Sequence, residues 1–269
     1  MKGSTPVGRA AEQARIRQAI GDAGAGRPHL VVLHGEPGAG KTTLLRYALA
    51  AARDNGFHTV ATTGAVASLL QALEIEATPD PLTLRLAVLD AISRRCRTGP
   101  VMIAVDDLPG PQADVVALLS FLFRRLRGER LLIVCATRVP HAFAAAGVPL
   151  TSCPVPPLTP DAAAALLDGL PGAPTGPARA EILRHCGGNP QGLITLAGYV
   201  ADTGDPRTEL QIDDTDDLVR VFAPALPDLP ASTRRVLLFA AAAQDDSLSG
   251  VLRAAGPGSP TAVPPRTPG

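Results

Sequence analysis

The octet Gly35-Glu36-Pro37-Gly38-Ala39-Gly40-Lys41-Thr42 fits the spacing G-x-x-x-x-G-K-[ST], in which a glycine-rich turn, a lysine and a hydroxyl converge on a phosphate. It follows His29-Leu30-Val31-Val32-Leu33-His34, an apolar run that reads as a buried strand. The segment after it, Thr43-Leu44-Leu45-Arg46-Tyr47-Ala48-Leu49-Ala50, reads as a helix. Glycines at 35, 38 and 40 let the backbone turn its N–H groups inward onto a β-phosphate, where side chains would block the approach. The helix opened by Thr42 and Thr43 presents its positive end to the same anion. Lys41 would reach the β/γ oxygens and Thr42 would ligate Mg²⁺, which makes the whole octet, with Thr43, a binding surface for ATP or GTP. Arginine has displaced lysine almost everywhere in the chain; of its two lysines, Lys2 and Lys41, one stands where the spacing requires it.

Binding alone needs no more than this, whereas hydrolysis also needs a carboxylate for the metal and a group to orient water. Asp106 and Asp107 end the apolar run Pro100-Val101-Met102-Ile103-Ala104-Val105. Ligands of open parallel sheets bind at the carboxyl ends of strands, and a strand adjacent to the phosphate-loop strand would set this pair beside Thr42. Asp106 is then assigned, with Thr42, to the magnesium shell and Asp107 to polarising the water; two solvated loop aspartates are the competing reading. Arg138 ends the apolar run Leu131-Leu132-Ile133-Val134-Cys135-Ala136-Thr137 and would contact the γ-phosphate, reporting ATP against ADP, unless it is a plain surface arginine. His34, Cys135 and His185 lie in or beside apolar runs without a partner at ligand spacing and read as structural.

The elements around these residues alternate. A helix over 10–20 with Ile16 and Ile20 on one side precedes the phosphate-loop strand, and a short strand over 57–61 follows the phosphate-loop helix. Next come a helix over 82–95 with Leu86, Leu89 and Ile92 inward, the acidic strand, a helix over 113–127 and the strand ending at Arg138. Continuous apolar strands separated by helices predict an α/β fold, a parallel sheet covered on both faces, over residues 1–150. Five prolines between 149 and 160 mark a change, and helices over 161–170 and 178–185 predict a small all-α domain over 151–203. Residues 204–255 open with an acidic linker and resume helical patterning near Thr233; the Gly/Pro-rich stretch 256–269 reads as disordered.

Composition narrows the class. At 46% hydrophobic residues and zero formal net charge the chain buries a large core and offers no broad basic surface for nonspecific nucleic-acid binding. No apolar stretch approaches a membrane span, and Met1-Lys2-Gly3-Ser4-Thr5-Pro6 lacks a signal's apolar segment, so a cytoplasmic location is expected. Cys96, Cys135, Cys153 and Cys186 form no C-x-x-C pair and read as reduced core thiols.

With these residues in hand, the chain resembles the ATPase module of large ATP-binding regulators of the LuxR type, within the signal-transduction class of AAA+-like P-loop NTPases. Val7-Gly8-Arg9 with Glu12 is similar to that family's N-terminal box, which in relatives lies near the adenine. Gly35 to Thr42 corresponds to its P-loop, Asp106-Asp107 to its acidic pair, Ala136-Thr137-Arg138 to its sensor strand and Gly188-Asn189-Pro190 to the signature of its helical lid, whose proline packs close to the nucleotide. Leu229-Pro230 through Ala243 resembles the start of a winged-helix-like domain. The resemblance implies ATP with Mg²⁺ as cofactors, Val7, Gly8, Arg9 and Pro190 as further nucleotide contacts, and a nucleotide-dependent switch with slow hydrolysis. The acidic pair departs from the family: Pro109-Gly110-Pro111-Gln112 replaces the usual continuation, which bears on catalytic rate. The segment between P-loop helix and acidic pair is shorter than usual, which would remove a peripheral helix. No DNA-reading helix is visible before Gly269, and the Pro-rich end has the look of a truncated or frame-shifted terminus. An exposed apolar face on Val236, Leu237 and Phe239 would drive self-association. Three other readings stay open: a non-hydrolysing ATP-binding scaffold or fragment, a P-loop kinase, and an origin-recognition-like ATPase acting on DNA.

Overall fold

Strands that are apolar along their whole length must be covered on both faces, and three strands here meet that condition. The computed structural model describes residues 6–111, 113–139, 143, 147, 149–202, 230 and 233. Helix α1 (Ala10–Gly24) leads into β1 (His29–His34), and α2 (Lys41–Asp54) into β2 (His58–Thr63); α3 (Val66–Leu73) and α4 (Pro81–Thr98) precede β3 (Val101–Leu108). Helix α5 (Asp114–Arg125), β4 (Leu131–Thr137) and β5 (Thr151–Pro154) complete the layer, and α6 (Pro160–Asp168), α7 (Gly176–Cys186) and α8 (Pro190–Asp202) pack together as a helical cluster, the segment expected as the lid. The five strands are parallel in the order β2-β3-β4-β1-β5. Interior β4 is buried at every residue, whereas the edge strands β2 and β5 alternate between buried and exposed positions.

Side-chain alternation divides the core in two. Leu30, Val32, Ile103, Val105, Ile133 and Cys135 face α3, α4 and α5, while Val31, Leu33, Met102, Ala104, Leu132 and Val134 face α1 and α2. This is the predicted α/β sandwich of a P-loop NTPase.

Several local expectations shift. Helix α1 runs on to Gly24 rather than ending near Gly21. Between α2 and β3 stand two helices, α3 and α4, where periodicity gives one. On α4 the buried residues are Val88, Ala91, Ile92 and Cys96; Leu86, expected inward, is 48% exposed. The sheet also passes the expected boundary at residue 150, because Thr151–Pro154 pairs with Val31–His34 of β1. Helix α8 begins where Asn189-Pro190 reads as a stop: Asn189 Oδ1 accepts from the N–H groups of Gln191 and Gly192 (3.1 and 3.2 Å), an N-cap with proline at the first helical position. All these elements lie within the unit Met1–Leu210; of the unit Gln211–Gly269 only Pro230 and Thr233 are described. The expectations for 204–255 and 256–269, including Val236, Leu237 and Phe239, lie outside the described residues.

Candidate functional site

The octet joins β1 to α2 at the carboxyl edge of the sheet. Gly38 and Gly40 adopt φ of +75° and +96°, the left-handed region that glycine enters without penalty, and Gly40 is the N-cap of α2. A methyl on Gly38 would also lie 2.5 Å from Asn189 Oδ1, so the loop and the lid approach too closely for any other residue. Ala39 is buried in the core beneath α1 and α2, anchoring the loop from below.

Lys41 Nζ donates to the carbonyls of Gly35 and Glu36, both at 2.8 Å. Burial holds the Lys41 ammonium below its ordinary pKa, and the guanidinium of Arg138 pushes it further down against the opposing pull of Glu36, Asp106 and Asp107. Two cations, Lys41 and the exposed Arg138, therefore share one field, and an anion arriving near them would relieve both desolvation and repulsion.

Thr42 Oγ1 donates to Asp106 Oδ1 at 3.2 Å, so the hydroxyl and the carboxylate converge as the octet and the acidic pair require. The route differs from the expected one. β3 is not adjacent to β1; β4 lies between them, and α2 slants over β4 and β3 to bring Thr42 across. The acidic pair also sits in a bulge. The β3–β4 register steps from Val105↔Cys135 to Leu108↔Thr137, so Asp106 and Asp107 together oppose Ala136. Asp107 takes φ of +48°, a strained conformation for a non-glycine residue, and its N–H donates to Asp106 Oδ1 at 3.0 Å.

Two residues given no role by the sequence reading secure this corner. Thr137, 1% exposed, donates to Leu108 O at 2.8 Å and accepts from Val139 N at 3.0 Å, tying the end of β3 to the turn that carries Arg138. Gly64, just after β2, admits the acidic segment: a methyl there would stand 2.4 Å from Asp107 O and from Pro109 Cδ.

A cleft of about 280 Å³ opens above the loop, lined by Gly38, Gly40, Lys41, Thr42 and Thr43 on one side and Pro190, Gln191, Ile194 and Thr195 of α8 on the other. Pro190 thus lies in the wall of this cleft. Val7, Gly8 and Arg9 stand outside it. Val7 is 41% exposed, and Gly8 (φ +66°) packs on α6, where a methyl would come within 2.4 Å of Ala162 Cβ. Arg9 is buried, pairs with Glu12 at 3.3 Å and donates from Nη2 to Ala39 O at 2.8 Å, gripping the P-loop from behind. His34 pairs with Ser152 at 2.9 Å and His185 with Glu181 at 3.0 Å, which accords with structural readings of both.

The residues present fit a nucleotide phosphate with a divalent cation: left-handed glycines at the mouth of a helix, a lysine whose charge is under-solvated, and a threonine hydroxyl meeting a carboxylate. Among the described residues no group of three or more His, Cys, Asp or Glu side chains could hold a metal. Among the same residues no helix is long and apolar enough to cross a membrane.

Comparisons with known proteins agree with this geometry. Residues 5–134 match the AAA ATPase domain family, and no curated protein matches the chain. Among solved structures, Cdc6p from Pyrobaculum aerophilum superposes with a TM-score of 0.59 at 18% identity, covering 88% of this chain and 74% of its own. Domain III of the Thermotoga maritima replication initiation protein DnaA gives 0.54 at 16% identity, covering 82% of this chain and 95% of that one. A signal transduction ATPase with numerous domains and a tetratricopeptide repeat sensor, from Pyrococcus horikoshii, gives 0.52 at 17% identity; 90% of this chain is covered and it spans 35% of that protein. At these identities the structures speak to fold alone, whereas the family match rests on sequence. The chain thus has a P-loop NTPase-like α/β fold built on a five-stranded parallel sheet, and its residues 5–134 are similar to the AAA ATPase domain family.

Proposed function

We propose that this module is a nucleotide-dependent regulatory switch: ATP binds between the P-loop and α8, slow hydrolysis to ADP resets it, and the two nucleotide states differ in lid position. The observation that carries the reading is a cleft floored by left-handed glycines and Lys41, with Thr42 in its wall hydrogen-bonded to Asp106. Lys41 leaves the Gly35 and Glu36 carbonyls for the β/γ oxygens, and Gly35 to Thr43 surround the phosphates. Arg138 touches the γ-phosphate and so distinguishes triphosphate from diphosphate. Thr42 and Asp106 hold Mg²⁺, which when bound neutralises phosphate charge. Asp107 orients and polarises the attacking water. Pro190 and Val7 meet the base, while Gly8 and Arg9 fix the loop and lid around it. The order of the five boxes supports common descent with LuxR-type regulators.

The test is equilibrium binding of a fluorescent ATP analogue with Mg²⁺, with phosphate release followed in the same samples. Lys41→Ala should weaken binding by about tenfold to a hundredfold, the worth of charge-assisted hydrogen bonds. Asp107→Asn should bind normally and release no phosphate. Binding without release in the wild type would establish a non-hydrolysing scaffold instead, and no binding would sink the nucleotide reading.

A further inference from the structure

Each carbonyl of the P-loop from Gly35 to Gly40 has a hydrogen-bond donor. Gly35 O and Glu36 O take Lys41 Nζ, Ala39 O takes the Arg9 guanidinium at 2.8 Å, and Gly40 O takes the Leu44 N–H at 3.0 Å inside α2. The two carbonyls at the tip are held by the lid: Pro37 O accepts from Asn189 Nδ2 at 2.8 Å and Gly38 O from the Gln191 N–H at 3.2 Å. In a trans peptide the C=O and the following N–H point to opposite sides. A donor that holds Pro37 O toward the lid therefore turns the Gly38 N–H the other way, and the same holds for Arg9, Ala39 O and the Gly40 N–H. The N–H groups that a phosphate needs are aimed by what grips the carbonyls behind them.

We infer that Asn189 is a positioning residue that sets the phosphate-binding conformation of the loop from the lid. One amide does both halves of the task. Its oxygen caps α8 through the Gln191 and Gly192 N–H groups, and these two donors leave only the nitrogen to face Pro37 O. The orientation of the side chain is thereby fixed, and rotation of α8 away from the loop would release the Pro37–Gly38 peptide and leave Gly38–Ala39 held only by the Ala39 N–H on Glu36 O at 3.2 Å. The absence of a side chain on Gly38 is what lets the amide reach in. Because coupling between two equilibria is reciprocal, a nucleotide that demands the inward N–H arrangement tightens the latch by the same factor by which the latch tightens the nucleotide. The lid thus reads loop occupancy through Asn189 itself, an idea that rests on the proposed nucleotide site.

Asn189→Ser and Asn189→Asp separate the latch from the cap, since serine and aspartate both cap helices but neither presents a donor that reaches Pro37 O. The full chain is used, with fluorescent ATP and Mg²⁺ as probe, thermal melting without nucleotide as the check on folding, and the Gly38 amide ¹H–¹⁵N resonance as the local readout. Both variants should melt within a few degrees of wild type and lose about tenfold in ATP affinity. The Gly38 resonance should move in both before nucleotide is added. Wild-type affinity together with an unmoved Gly38 resonance in either folded variant would overturn the inference. A wild type that binds no ATP would instead overturn the nucleotide site and the latch with it, so the two failures are told apart by the wild-type titration alone.

Discussion

Asp107 is one of two described non-glycine residues with positive φ, the other being Glu74 at the end of α3. Asp enters this region more readily than most residues, and here it does so in a bulge beside the phosphate loop. The geometry depends on Gly64, whose bare Cα lets Asp107 O and Pro109 approach. Gly64→Ala should push the acidic segment outward, lowering phosphate release by tenfold or more, on the order of the effect of misplaced catalytic groups, while ATP affinity stays within about threefold. Equal losses in both would refute the separation. The four thiols are a second residue-scale matter. Burial raises each, Cys96 and Cys186 to about 11. A thiol whose pKa is higher folded than unfolded stabilises fully below the unfolded value near 9 and loses that contribution as pH climbs through the folded one. Denaturation midpoints should therefore fall between pH 9 and about 11, and less steeply in a Cys96→Ala/Cys186→Ala double variant. The octet, the acidic pair and Arg138 are legible in sequence because their spacing is local. Gly64 is not, and Thr137 and Asn189 are marked by the resemblance without their contacts, because each acts on a segment it meets only after folding; Asn189 holds Pro37 from 152 residues away.

Helix α4 shows how an element can be recognised while its orientation is not. Leu82, Leu84, Leu86, Val88, Leu89 and Ile92 surround the axis so fully that periodicity supports more than one buried arc. The packing of α5 and β3 selects the arc of Val88, Ile92 and Cys96 and leaves Leu82 and Leu86 60% and 48% exposed. Ile92→Ala should then cost about 2–5 kcal/mol and Leu86→Ala less than about 0.5 kcal/mol beyond helix propensity, by urea denaturation. Similar costs at the two positions would reverse the assignment. Elements at the sheet edges are the harder ones to read. β5 offers four residues among prolines, too few for a periodic signal, and it is a strand because β1 presents an open ladder to it. Helix α8 was obscured by Pro190, which ends helices when it follows one and starts them when it follows a cap such as Asn189.

At the scale of the molecule, the fold class was legible because alternating helices and fully apolar strands admit few other layer arrangements, whereas strand order was not. Nothing local reveals that β4 inserts between β1 and β3, since that choice is made by packing over the whole sheet. A ligand that bridges loop, acidic pair and lid ties distant parts of the chain, so its effect should be global. ATP with Mg²⁺ at a hundredfold excess over its dissociation constant should stabilise the wild type by about 2.7 kcal/mol, seen as a rise in melting temperature, and Lys41→Ala only slightly. An equal rise in both would place binding elsewhere.

β1 finds its two partners only at Leu132–Thr137 and Thr151–Pro154. During synthesis, then, an apolar strand emerges from the ribosome with both its edges unmatched, and waits on the order of 5–20 s at ordinary elongation speeds for the first of them. The phosphate loop that hangs from it can take shape only after that interval. Slowing translation between residues 35 and 131 should therefore lower soluble yield, read by expression with rare codons placed there, more than the same slowing after residue 154.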